Sequence, residues 1–142
     1  MNKMNISKME AEKYLSKFLA DFGFVLALEK VNGVHFAVYG NERLLIAFCW
    51  DARDGNVIKV AHPYAILDPI AILNCENGWA FVGDHWPQFT SGYVEAVKVL
   101  PYPETPSEAE YYRFTEQSLR EFLRMVDSKQ VDLGSPVPFI DV

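Results

Sequence analysis

Two cysteines, Cys49 and Cys75, are all that the 142 residues offer for a disulfide or a thiolate metal site. Cys49 sits inside an apolar run and reads as a small buried hydrophobe, and Cys75 ends another apolar segment. The two could pair in an oxidising compartment. However, the N-terminal MNKMNISKMEAEKYL is polar and lacks the apolar core of a signal peptide. Free thiols in a reduced, cytoplasmic protein are therefore expected. No apolar run approaches the roughly 18 residues that a membrane span needs. Cations are scarce as well: 13 Lys and Arg stand against 19 Asp and Glu, a formal net charge of −6. That deficit argues against a nucleic-acid partner, because phosphate binding rests on Lys and Arg. It favours solubility and attraction to a basic partner.

Catalytic patterns are equally thin. The chain has no Gly-x-Ser-x-Gly elbow, no Gly-rich phosphate loop and no visible Cys–His arrangement. His35, His62 and His85 are scattered, without a second ligand at helical metal spacing, so neither a metal nor a cofactor is expected. Residues 51–56 (DARDGN) hold acidic and amide groups around a glycine. They lack the alternating ligands and distal Glu of a calcium loop, and read as a hairpin tip. The most enzyme-like stretch is Gly83-Asp84-His85-Trp86-Pro87, where a carboxylate beside an imidazole could tune a general base. Adjacent side chains of an extended segment point apart, so the sequence alone gives no Asp–His hydrogen bond.

What the chain has in quantity is apolar bulk. Half of it is hydrophobic, with ten Phe, seven Tyr and three Trp. A chain of this length fits a single domain, residues 1–142, and can bury about 70% of its unfolded surface without a disulfide or metal. The pattern predicts an α+β fold. Residues 7–22 read as a helix, with Ser7 and Glu10 as a capping box and Ala11, Leu15, Phe18 and Phe22 as its stripe. Gly23 ends it. From about 24 to 61 the period changes to two, with an Asn32-Gly33 turn, a second turn at 40–43 and a third at 51–56. This predicts a four-stranded antiparallel meander. Residues 44–50, apolar on both faces, form its central strand.

Asp68-Pro69 then signals a helix start, and a short helix is expected near 69–76, with a strand as the alternative. Residues 79–106 are rich in aromatics and proline and read as irregular, either a functional segment or a cover over one sheet face. A final helix is expected over about 107–127, with Ser107 and Glu110 as a second capping box and Leu119, Phe122, Leu123 and Val126 as its stripe. Thr115 could split it. Pro136 and Pro138 make residues 129–142 an extended tail that docks on the body.

A short helix ending in FGF, a compact meander, the central LLIAFCWDARDGNVIKV hairpin and a C-terminal LREFLRMV helix resemble small bacterial immunity proteins of polymorphic-toxin and contact-dependent inhibition systems. The resemblance covers roughly residues 10–75 and the last helix. It implies a non-enzymatic module, monomer or homodimer, that binds a cognate toxin domain, often a basic nuclease, and blocks its active site or substrate groove. Exposed aromatics among carboxylates suit such a surface. Asp51, Asp54, Glu76, Asp84, His85, Trp86, Glu95 and Glu104 are its candidate contacts. The competing expectation is a small-ligand-binding or enzymatic domain with a pocket near His62, Asp84, His85 and Trp86.

Overall fold

In a computed structural model of the chain, the residues described are 5–30, 35–51, 55–82, 108–129, 131 and 133. The strands β1 (Val25–Lys30), β2 (His35–Gly40), β3 (Leu45–Asp51), β4 (Gly55–Ala61) and β5 (Ala80–Phe81) form one antiparallel sheet in sequence order. β3 is central, as its two-sided apolar pattern requires: Ile46 and Phe48 are buried on one face, Ala47 and Cys49 on the other. Its register runs from Leu45↔Ala61 to Asp51↔Gly55 against β4 and from Gly40↔Leu45 to His35↔Trp50 against β2. The meander thus has a fifth, two-residue strand beyond the four expected. Lys59↔Phe81 and Val60↔Ala80 pair it to β4, inside the segment whose composition reads as irregular. Two residues carry no detectable period, so the pairing has no signature in the sequence.

Helices cover one face. α1 (Ile6–Tyr14), α2 (Ser16–Asp21) and α4 (Glu108–Asp127) bring Leu15, Phe18, Leu119, Phe122 and Leu123 onto Tyr39, Ile46, Phe48 and Val60. Val131 and Leu133 are buried in the same cluster. α4 runs unbroken through Thr115, which is buried on the apolar line, so it does not split there. Its expected Ser107–Glu110 cap lies outside the described residues, as do the Asn32-Gly33 turn and the body of the 51–56 turn.

The first helix differs from expectation. It is two helices, broken at Leu15 (φ −118°, ψ 12°), and its N-cap is Asn5 rather than Ser7. Asn5 Oδ1 accepts from Lys8 N (3.0 Å), while Asn5 Nδ2 donates to Lys30 O (3.0 Å) and Phe36 O (2.8 Å). One amide side chain therefore caps α1 and ties it to the ends of β1 and β2. A serine hydroxyl cannot do all three, since it has one proton to donate. Ser7 instead donates to His35 O (3.0 Å), and Glu10 accepts from the Tyr112 hydroxyl of α4. The residues of the expected capping box are thus used in tertiary contacts.

β1 is the sheet edge. The register slips between Leu26 and Leu28, a bulge that breaks the alternation expected there. Val25 and Leu26 stay exposed, while Glu29 and Lys30 charge the far end of the strand. A bulge and charges on an edge are the devices that discourage strand addition.

Candidate functional site

The second face of the sheet is covered by α3 (Pro69–Asn74) and the loops flanking it, and these carry the most unusual surface among the described residues. α3 starts as the Asp68-Pro69 pair predicts. The Asp68 carboxylate accepts from Ala71 N (3.3 Å), and Pro69 occupies a first-turn position whose N–H would have no partner. Ala71 and Ile72 turn inward onto Phe36, Val38, Ala47 and Ala61. The helix ends at Cys75, in the left-handed region (φ 55°), two residues before the expected stop at Asn77-Gly78. Asn77 (φ 56°) and Gly78 (φ 94°) are also left-handed, so the chain reverses tightly and delivers Trp79 back to the sheet. Trp79 is buried, and its Nε1–H donates to Ile66 O (2.9 Å), closing the loop that precedes α3.

Lys59 fastens this cover. It lies in mid-strand with a side chain only 5% exposed. Its ammonium donates to Ile72 O (2.8 Å) and Leu73 O (2.9 Å), carbonyls of the last turn of α3, the first of which also accepts from Cys75 N (3.4 Å). The negative end of a helix is where a cation is favoured. The same ammonium stands 5.2 Å from the centroid of the Phe81 ring. One buried charge therefore holds three elements together: β4, the end of α3 and β5. The signal was present in the sequence as a lysine between apolar same-face neighbours, Val57 and Ala61. What it would bond could not be read, because a six-residue helix has no fixed address on a sheet.

The outward side of this cover is apolar. Ile70 is 64% exposed and Tyr64 75%, with Leu67, Leu73 and Phe81 also exposed. Ile70 and Leu73 are three apart and share a helix face. Phe81 lies near the end of α3, its ring centroid 5.2 Å from the ammonium that also bonds Leu73 O. Glu76 is exposed in the turn that follows. The result is a ledge of large apolar side chains on a helix that is capped at both ends.

Of the residues predicted to form a site, Glu76 lies at the end of this ledge, while Asp51 ends β3 opposite Gly55. Asp54, Asp84, His85, Trp86, Glu95 and Glu104 lie outside the described residues. His62 is half-buried and locally engaged: its Nδ1 accepts from Tyr64 N (3.3 Å), and its ring lies 5.3 Å from that of Tyr64. Ile70 and Leu73 are not among the expected contacts, because apolar residues in a short helix read as core, and Phe81 falls in the stretch that reads as irregular. Only exposure tells them apart.

Elsewhere several of the described charges form ion pairs. Arg43 pairs with Asp127 (2.6 Å), and Arg120 pairs with Asp21 (2.8 Å) and Glu116 (3.4 Å). The two thiols are free: Cys49 is buried and Cys75 half-buried. Burial pushes the Cys49 thiol up to about 11, which keeps it protonated and unreactive. Burial, with the Glu12 and Glu29 carboxylates adding to it, raises the Tyr39 hydroxyl to about 12. Among the described residues no cluster of His, Cys, Asp and Glu is arranged to hold a metal ion, and no helix is long and apolar enough to cross a membrane. No protein-family model matches the chain, and neither a curated protein nor a solved structure matches it.

Proposed function

We propose that this chain is a non-enzymatic protein-binding module of the immunity type, which binds a cognate bacterial toxin domain in the cytoplasm and neutralises it. The observation that carries the reading is the ledge of α3. Single exposed hydrophobics are ordinary on a protein surface, but several large ones brought together mark an interaction site. Here Tyr64, Leu67, Ile70, Leu73 and Phe81 are exposed within one short stretch. Their support is stiff: a buried lysine, an N-cap and a buried tryptophan hold α3 against the sheet. A pre-ordered surface loses little conformational entropy on binding, so more of the contact energy appears as affinity. The formal charge of −6 complements a basic toxin domain and would speed the encounter.

The experiment is growth protection. The gene is expressed together with the toxin domain that this reading expects to be encoded beside it. Cells carrying both are expected to grow, and cells carrying the toxin domain alone are not. Growth arrest in both would reject the proposal.

A further inference from the structure

We infer that the α3 ledge is the anchor of the partner interface, and that the partner meets it with an apolar side chain bordered by Lys or Arg. This rests on reading the chain as a protein-binding module, and adds where the partner docks and what chemistry it brings.

Within residues 60–82, which build the ledge, there are Asp68 and Glu76 and no Lys or Arg. The adjoining cation, Lys59, is buried, with its hydrogen bonds directed into α3. On the helical face, by contrast, Arg43 and Arg120 are already paired with carboxylates. An incoming Lys or Arg would therefore find the exposed Glu76 carboxylate, and the Asp68 carboxylate that caps α3, with no competing cation among the described residues 60–82. The exposed side chains of Ile70, Leu73 and Phe81 supply the apolar centre, the part of an interface where binding energy concentrates.

The same charge pattern argues against two other occupants. A second copy packed ledge to ledge would bring Asp68 and Glu76 near their equivalents, and like charges at an interface are unfavourable. An anionic bilayer surface would repel the segment, because membrane recruitment of this kind depends on Lys and Arg.

The test uses the full chain and a fluorescent amphipathic peptide of Leu and Lys, with a Leu and Glu peptide of the same length as its counterpart. The Leu/Lys peptide is expected to bind and the Leu/Glu peptide is not. The deciding variant is Ile70→Glu, at a side chain 64% exposed, with circular dichroism confirming the fold. It removes an apolar anchor and adds a negative charge, so the two explanations of peptide binding predict opposite signs. Docking on the ledge predicts weaker binding by about tenfold, or about 1.4 kcal/mol. Charge attraction alone predicts equal or tighter binding, and that result would overturn the inference. A dimer in sedimentation equilibrium that Ile70→Glu abolishes would assign the ledge to a second copy. Co-sedimentation with phosphatidylcholine–phosphatidylglycerol vesicles would assign it to a membrane. Either outcome overturns the inference too. If the chain protects cells from its toxin while Ile70→Glu changes neither peptide binding nor protection, the immunity reading stands and this surface falls. If the peptide behaves as expected and no toxin is neutralised, the surface stands and the immunity reading falls.

Discussion

Replacing Lys59 with Met tests how the ledge is held. Met keeps most of the stem volume and removes the ammonium. Two carbonyls, Ile72 O and Leu73 O, then lose a charged donor. A hydrogen bond to a charged group contributes about 1.5–3 kcal/mol, and a buried acceptor left without a partner costs about 1–3 kcal/mol. Against this, the folded state no longer has to desolvate a cation, a cost of several kcal/mol for an ion in a protein interior. The two carbonyls are at a helix end and Leu73 is exposed, so water can replace part of what is lost. We expect a net loss of about 2–3 kcal/mol. For a chain of this size, that lowers Tm by about 6–10 °C. Calorimetry measures the loss, and amide exchange shows where it falls. Amides of α3 and β5 should exchange faster, while those of β2 and β3 keep their ranking. A more stable variant would mean that the desolvation cost exceeds the bonds, and that Lys59 does not fasten α3. A uniform rise in exchange across the sheet would equally refute a local role.

Two further perturbations follow from the same structure. Asn5→Ala removes the α1 cap and two donors to β-strand carbonyls together, and should destabilise by about 2–3 kcal/mol in urea titration, against about 1 kcal/mol for an ordinary cap. Raising the pH should destabilise the fold through Cys49, raised from 9.0 to about 11, and Tyr39, raised from 10.0 to about 12. Both are neutral when protonated and both hold the proton more tightly when folded. Their contribution is therefore complete below pH 9 and is lost as pH rises towards 12. Cys49→Ala with Tyr39→Phe should flatten that alkaline limb.

The fold was largely legible because its signals are periodic. The central strand announced itself by being apolar on both faces, and the Asp68-Pro69 start of α3 by its local chemistry. Among the features that could not be read, three bear on the site and its supports. β5 is too short to have a period. Asn5 was passed over because Ser7 and Glu10 match a local motif, whereas the competing use of Asn5 depends on β1 and β2, 25 and 31 residues away. The ledge was hidden because Ile70 and Leu73 look like core residues in a short apolar helix. Burial is a property of the packed sheet, and α3 has only one side to pack. Sequence pointed to the acidic segment beginning at Glu76; the structure describes its first residues and adds the apolar ledge just before it.

The most direct measurement is titration of the full chain into the purified toxin domain that the proposed function expects to be encoded beside its gene, with the activity of that toxin as the readout. Stoichiometric loss of toxin activity, weakened by Ile70→Glu and unaffected by Lys17→Glu on the exposed surface of α2, is the predicted result. Toxin activity that persists with the chain in excess would contradict the account.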